Sequence, residues 1–175
     1  MPSLRDSIGL PFTVFRARNA IDYAEAGVME GAPLSEAAAK ASAELVEAGM
    51  LEGSQVKLLF ARPGLSLTYV WFKSGYPLPR HSHDADCAYF IIAGSLRVGA
   101  EELGPGDGFF VGRDVPYTYT PGERGVEVLE IRTADKFDIK MLANNPAYWA
   151  KALGTVNEAR SRWWHEQPPS GMSVG

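Results

Sequence analysis

Reactive side chains that could form disulfides or metal sites are scarce in this chain: its 175 residues include one cysteine and three histidines. The single cysteine, Cys87, excludes a disulfide within the chain, and a lone free thiol is typical of proteins in a reducing compartment. Residues 1–7 lack the apolar core of a signal peptide. We therefore expect a cytoplasmic protein.

Several partner classes are excluded by what the composition lacks. No apolar run approaches the roughly 20 residues that a membrane-spanning helix needs, so we expect no membrane partner. The net charge is −4, and residues 1–53 account for it with 4 basic and 8 acidic side chains. Contacts to phosphates need lysine and arginine, so we expect no nucleic-acid partner. The glycine-rich fingerprints of nucleotide-binding loops are absent as well.

The remaining composition, with 46% hydrophobic and 22% charged residues, is that of a globular domain. The pattern along the chain predicts one domain in three parts: an N-terminal helical extension over residues 1–54, a β-rich part over 55–135, and a C-terminal helical extension with a mobile tail over 136–175. Asn19 is predicted to cap a short helix, and Ser35 a longer helix that ends at Gly49. Asn145 begins a third helix up to Gly154, and Thr155 caps a fourth that reaches about His165.

Short runs of β-branched and aromatic residues fill the middle of the chain, separated by Pro-Gly, Gly-Ser and Gly-Pro-Gly-Asp turns. They cover residues 56–61, 66–72, 88–92, 95–98, 108–111, 117–120 and 126–131. Seven short strands with no long helix between them predict an antiparallel sandwich or barrel.

Two of the three histidines, His81 and His83, stand one residue apart in the segment that runs from Gly75 to Cys87. In a strand, residues two apart share a face, so both imidazoles and the Cys87 thiol are predicted to point the same way. Two imidazoles that converge from one strand form half of a metal site.

The segment from Gly75 to Gly94 resembles the first motif of the cupin superfamily, G-x5-H-x-H-x3,4-E-x6-G, because both glycines and both histidines fall at the required spacings. The stretch from Leu103 to Tyr117, with its Pro-Gly-Asp turn, looks like the second cupin motif. The resemblance covers roughly residues 55–132.

The resemblance implies a single cupin-like antiparallel β-barrel of the jelly-roll type with a central pocket. In that family two histidines and a glutamate of the first motif, with a histidine of the second, usually hold a divalent metal such as iron, zinc, copper, nickel or manganese. This chain differs at two of those positions, where Cys87 stands for the glutamate and Tyr117 for the second-motif histidine.

The candidate metal ligands are therefore His81, His83 and Cys87, with Tyr117 as the candidate catalytic residue. Cys87 is either a thiolate ligand or a buried apolar residue. Tyr117 either ligates as a phenolate or, as we expect, orients a substrate or a metal-bound water. Asp84 and Asp86 are expected to form turns, although Asp84 reaches the metal if the strand bends.

Three functions are compatible with this pattern. The first is a metal-dependent enzyme on a small organic molecule, dioxygenase-like, with isomerase or lyase chemistry as its alternative. The second is a non-catalytic cupin that binds a small ligand as a sensor, and the third is a structural module with a closed interior. The helical extensions and exposed strand edges also predict a homodimer.

Overall fold

The computed structural model describes residues 12–175, which fold into a mainly β, jelly-roll-like sandwich with a long C-terminal helix. The prediction that residues 1–7 form no signal peptide lies outside this part, as does the start of the predicted 1–54 extension. No helix among the described residues combines the length and apolarity needed to cross a lipid bilayer. The predicted jelly roll is confirmed as a sandwich of sheets rather than as a closed barrel.

Ten strands and three α-helices follow one another along the described chain. The strands are β1 (Ile21–Asp22), β2 (Met29–Gly31), β3 (Ser54–Arg62), β4 (Leu65–Phe72), β5 (His81–Ser82), β6 (Cys87–Val98), β7 (Glu101–Leu103), β8 (Gly108–Val111), β9 (Thr120–Arg132) and β10 (Phe137–Met141). The helices are α1 (Tyr23–Ala26), α2 (Glu36–Glu47) and α3 (Pro146–Trp163), with short 3₁₀ turns at Ala17–Asn19 and Met50–Gly53.

The larger sheet has the strand order β1-β3-β4-β9-β6-β7, and β8 also pairs with β6. The smaller sheet has the order β2-β10-β5, in which β2 and β10 run parallel. Residues two apart along β4, β6 and β9 turn the same way and form the core between the layers. This core includes Val70, Tyr89, Ile91, Val126 and Val128.

Helix α3 closes one end of the sandwich through its tryptophans. Trp163 is fully buried and its indole N–H donates to the carbonyl of Ser74 at 3.0 Å. Trp149 is also buried and donates to the carbonyl of Ala143 at 2.9 Å. Trp163 thus holds the C-terminal helix against the segment that follows β4.

The helices differ in part from their predictions. Ser35 caps α2 as predicted, with its hydroxyl accepting from the amide of Ala38 at 3.3 Å. Helix α3 runs without a break through Gly154, so the two predicted C-terminal helices are one, because Ala152, Val156 and Ala159 form a continuous buried stripe along it.

The N-terminal part contains strands as well as helices. The helix predicted from Asn19 is limited to α1, because Ile21 and Asp22 pair with Leu58 and Lys57 as an added strand. Strand β2 extends the smaller sheet beside β10, which follows the predicted β-rich part. The division into parts at residues 54 and 135 stays a prediction.

The C-terminal tail, predicted as mobile, packs on the outer face of the larger sheet instead. Val174 is buried with Tyr69 and Trp71. The hydroxyl of Ser170 donates to the carboxylate of Glu127 at 2.8 Å. Glu127 has no exposed surface, and the hydroxyl of Tyr69 donates to it as well, at 2.6 Å. The buried carboxylate thus gains its partners from the tail and from the neighbouring strand.

Gly94, the last glycine of the first motif, lies where β6 passes close to β9. Its φ is +76°, and a Cβ there would collide with the carbonyl oxygen of Gly125. Gly99, in the turn after β6, also has a positive φ of +58°, but nothing lies near the position of its missing Cβ. Alanine substitutions at Gly94 and Gly99 therefore separate the cost of backbone strain, which both share, from the cost of crowding, which only Gly94 has.

We predict that Gly94→Ala lowers the free energy of unfolding by at least about 2 kcal/mol more than Gly99→Ala, because only Gly94→Ala adds a collision to the strain. Gly99→Ala itself is expected to cost about 1 kcal/mol. Urea denaturation of both variants measures the difference. Equal losses would mean that β6 and β9 do not approach as closely as described.

Candidate functional site

The two histidines are placed by β5 and by the bend that follows it. His81 forms two backbone hydrogen bonds with Tyr117: the amide of His81 donates to the carbonyl of Tyr117 at 3.0 Å, and the amide of Tyr117 donates back at 2.9 Å. The segment predicted as a strand from Tyr117 is reduced to this bridge, and β9 begins only at Thr120. This bridge places Tyr117, the residue at the histidine position of the second motif, beside His81 of the first motif.

Each imidazole is oriented by a backbone carbonyl. Nδ1 of His81 lies 2.7 Å from the carbonyl oxygen of Pro79, and Nδ1 of His83 lies 2.6 Å from that of Asp138. A carbonyl oxygen only accepts, so both Nδ1 atoms carry the proton and both Nε2 atoms keep a lone pair. The two ring centroids are 5.0 Å apart.

Burial keeps both rings neutral. It lowers the pKa of His81 below its ordinary value, and it lowers the pKa of His83 to about 3 with the added effect of the nearby Arg132 guanidinium. Neutral imidazole is the form that ligates metals. The surroundings of the two rings therefore favour two neutral imidazoles at physiological pH, each with a nitrogen lone pair that can bind a metal.

A chain of hydrogen bonds ends on His81. The hydroxyl of Tyr117 lies 2.8 Å from Nε2 of His81 and donates to it, because that nitrogen has no proton of its own. The hydroxyl of Tyr89 makes a short contact with the hydroxyl of Tyr117, and Nη2 of Arg132 lies 3.4 Å from the Tyr89 oxygen. The chain therefore donates in one direction, from Arg132 towards His81.

Arg132 is buried and held on several sides. Its Nη2 lies 3.1 Å from a carboxylate oxygen of Glu130, and its Nη1 lies 3.4 Å from the hydroxyl of Tyr23. Its guanidinium also lies over the ring of Phe137, with Cζ 4.0 Å from the centroid. The ion pair with Glu130 offsets much of the cost of burying the charge.

These side chains meet at a cavity of about 590 Å³ that is open to solvent. His81, His83, Tyr117, Glu130 and Arg132 form its polar end. Residues of the N-terminal segment, β3, β4 and β10 form much of the remaining wall. The wall includes Asp22, Tyr23, Glu25, Met29, Leu51, Val56, Val70, Phe72, Leu78, Tyr119, Ile139 and Met141.

The structure brings His81, His83 and Tyr117 together as predicted, but it does not place Cys87 with them. Strand β5 ends at Ser82, and the chain bends before β6 begins at Cys87, so the shared-face argument does not extend across this break. Cys87 is buried opposite Arg132 in the strand register and is not part of the cavity wall. Burial raises its thiol pKa to about 12, which disfavours the thiolate.

Asp84 and Asp86 have the loop roles predicted for them. The carboxylate of Asp84 accepts from the amide of Asp138 at 2.8 Å, and that of Asp86 accepts from the amide of Arg113 at 2.7 Å. Within residues 12–175, no three histidine, cysteine, aspartate or glutamate side chains are grouped as a metal site. Ligation by Cys87 stays a prediction.

Sequence reasoning missed Arg132, Glu130 and Tyr23. One signal was available for the first two, because Val126, Val128, Glu130 and Arg132 share one face of β9, and charges that continue an apolar stripe point to a polar site inside the fold. No local pattern indicated Tyr23, which reaches the site from an N-terminal segment far away in sequence.

Similarity to known proteins is found at the level of solved structures alone. No family model and no curated protein matches the chain. The polyketide cyclase RemF from Streptomyces resistomycificus is similar in structure, with a TM-score of 0.50 and 14% identity over 61% of this chain and 83% of that one. KdgF from Halomonas sp. has a TM-score of 0.43 and 23% identity over 47% of this chain and 79% of that one.

A RmlC-like cupin from Shewanella frigidimarina has a TM-score of 0.43 and 21% identity over 47% of this chain and 78% of that one. At these identities the similarity concerns the fold alone. It rests on RemF, whose TM-score is 0.50. The chain therefore has the cupin-like jelly-roll fold that its first motif predicts.

Proposed function

We propose that this protein is a metal-binding cupin enzyme that acts on a small organic molecule, with dioxygenase-like chemistry. One divalent transition metal (iron, zinc, copper, nickel or manganese) would be held by Nε2 of His81 and of His83. The supporting observation is the pair of Nδ1–H bonds to the carbonyls of Pro79 and Asp138, which leaves both Nε2 lone pairs unprotonated beside the cavity.

The donor set fits such an ion. Metal-bound imidazoles usually donate their second N–H to a carbonyl or carboxylate, and both histidines do so here. No hydrogen-bond partner for Nε2 of His83 is found among residues 12–175. Two histidines leave coordination positions for water, for a substrate or for Tyr117. When bound, the ion supplies Lewis-acid or redox chemistry.

Tyr117 is the residue that we propose to act on the substrate. Its oxygen accepts from Tyr89 and its proton is donated to His81, so its hydroxyl is already oriented into the polar end of the cavity. Burial raises its pKa well above the ordinary tyrosine value, which keeps the proton on the oxygen. If a metal ion took the Nε2 lone pair of His81, this proton would be free to be donated to a substrate oxygen.

Two other functions stay open to test. A non-catalytic small-ligand sensor is supported by the absence of a third grouped histidine, cysteine, aspartate or glutamate within residues 12–175. Metal-dependent isomerase or lyase chemistry would use the same cavity without oxygen. Oxygen uptake with hydroxylated aromatics and diketones separates dioxygenase chemistry from both.

A homodimer in the cytoplasm completes the proposal. Exposed apolar side chains on the outer face of β6, β8 and β9, namely Phe90, Phe110 and Ile131, support a contact with a second copy. The single cysteine supports a reducing compartment.

We expect the purified, untagged protein to carry about one transition metal ion per chain, because two oriented neutral imidazoles form a binding site. His83→Ala is expected to lose most of this metal, whereas His165→Ala, at an exposed position near the C-terminus, keeps it. Elemental analysis of each variant is the measurement. Wild-type protein with only trace metal, at the level of His83→Ala, would refute the site.

The same measurement on Cys87→Ser decides the role of the thiol. Loss of the metal would make Cys87 a ligand as the sequence predicts, and retention would remove it from the ligand set. The burial of the thiol away from the cavity favours retention.

Tyr117→Phe tests whether Tyr117 ligates the metal or instead orients a substrate or a metal-bound water. We expect the variant to keep its metal and to bind it at least as tightly, because the phenol no longer occupies Nε2 of His81. Competition with a chromophoric chelator measures the affinity. Tyr119→Phe is the matched control, since Tyr119 lines the same cavity and has no hydrogen-bond partner for its hydroxyl among residues 12–175. A large loss of metal affinity in Tyr117→Phe alone would make the phenol a ligand.

The depressed pKa of His83 predicts acid sensitivity of the metal-stripped protein. An unfolded histidine takes up a proton near pH 6.5, whereas folded His83 does so only near its pKa of about 3. The contribution of His83 to the free energy of unfolding is therefore fully present above pH 6.5, and it is lost as the pH falls from there towards 3. His83→Gln should reduce the slope of unfolding free energy against pH by about 1 kcal/mol per pH unit between pH 6 and 5.

Urea denaturation across that range measures the slope, with His165→Gln as control. An unchanged slope in His83→Gln would mean that His83 titrates normally in the folded protein.

A further inference from the structure

We infer that Glu130 is the hydrogen-bond acceptor that binds the ligand in this cavity, so that the site selects molecules with a hydroxyl group over molecules of the same shape without one. This inference rests on the proposed function, because it names the ligand class for the same cavity. It is drawn from a carboxylate oxygen at the polar end that has no partner among residues 12–175.

The carboxylate of Glu130 is held in place by one of its two oxygens. Oε2 lies 3.1 Å from Nη2 of Arg132, whose guanidinium is itself fixed over the ring of Phe137. Oε1 has no hydrogen-bond partner among residues 12–175, and it is not one of the unpaired polar atoms that the protein encloses. Glu130 lines the cavity and 13% of its side chain is exposed, so Oε1 is open to a ligand.

The neighbouring groups at the polar end leave this role to Glu130. Tyr117 keeps its proton, because burial raises its pKa and the negative charge of Glu130 raises it further. Nε2 of His81 already accepts from Tyr117, and a metal ion on the two histidines would take up both Nε2 lone pairs. Arg132 only donates. A hydroxyl group that enters the polar end therefore finds the acceptor for its proton in Glu130.

The two other carboxylates of the cavity wall are less suited to this role. Asp22 is paired with Lys57 at 3.1 Å, and 57% of its side chain is exposed. Glu25 is exposed to solvent as well. Water competes for a hydrogen bond to an exposed carboxylate. Glu130 is largely withdrawn from water, where a hydrogen bond to a charged acceptor contributes more.

A metal ion on His81 and His83 would strengthen this preference. The ion would take a lone pair of the ligand's hydroxyl oxygen and make its O–H a better donor to Glu130. The cavity, with a volume of about 590 Å³, also has aliphatic and aromatic side chains in its wall, among them Val56 and Phe72. Hydroxylated ring compounds combine an apolar body with an O–H group, so they are the ligand class that fits.

Two probes of nearly the same shape test the inference: 2-naphthol, which has a hydroxyl group, and 2-fluoronaphthalene, which has none. Calorimetric titration of the metal-stripped protein is expected to show 2-naphthol binding about tenfold or more tightly. Glu130→Gln should remove most of this advantage, because the charged acceptor is lost. Glu47→Gln, at an exposed position on α2 outside the cavity wall, makes the same charge change and should keep the advantage.

A second variant guards against a loss of folding. Glu130→Gln alone leaves the guanidinium of Arg132 buried without its counter-ion, and this is destabilising. Glu130→Gln combined with Arg132→Met buries no charge at this place and should fold. The double variant is expected to lose the same advantage for 2-naphthol.

Equal binding of the two probes by the wild-type protein would overturn the inference, and so would failure of both to bind. An advantage for 2-naphthol that survives in the folded double variant would also overturn it. His83→Ala should keep the advantage, and its loss there instead would make Nε2 of His83 the acceptor and refute the role of Glu130. Because metal content is measured separately on the protein as purified, the ligand class and the metal site can each fail while the other stands.

Discussion

The antiparallel pairing of β6 with β9 is the constraint on which the rest of the structure depends. It places Cys87 opposite Arg132 and Tyr89 opposite Glu130, so the polar end of the cavity is built from one stretch of strand register. The same pairing brings Gly94 against Val126, where there is room for a glycine alone. A slip of one residue would turn Glu130 and Arg132 outwards and remove the electrostatic setting of the site.

That electrostatic setting explains why both histidines are neutral and which ring nitrogen of each carries the proton. Burial and the Arg132 guanidinium disfavour imidazolium, and the carbonyls of Pro79 and Asp138 fix which nitrogen carries the proton. Tyr117 satisfies one of the two Nε2 lone pairs in the absence of a metal. The site is therefore one in which a phenol proton and a metal ion would compete for the same nitrogen of His81.

The sequence was sufficient for the jelly roll, for α2 with its Ser35 cap, and for the meeting of His81 and His83 with Tyr117. These depend on local patterns: turn residues, alternation and motif spacing. The placement of Cys87 was not predictable by strand parity, because parity is lost at the bend between β5 and β6. The cavity wall from the N-terminal segment, and the partners of Arg132, depend on contacts distant in sequence that no single pattern encodes.

X-ray absorption spectroscopy at the metal edge, on protein loaded with one equivalent of zinc, tests most directly whether the two Nε2 atoms form the metal site. We predict a first shell of nitrogen and oxygen donors with the multiple-scattering signature of two imidazoles and no sulfur near 2.3 Å. In His83→Ala the signature of one imidazole should disappear. A spectrum without imidazole scattering would contradict the site, and a sulfur shell would replace it with one built on Cys87.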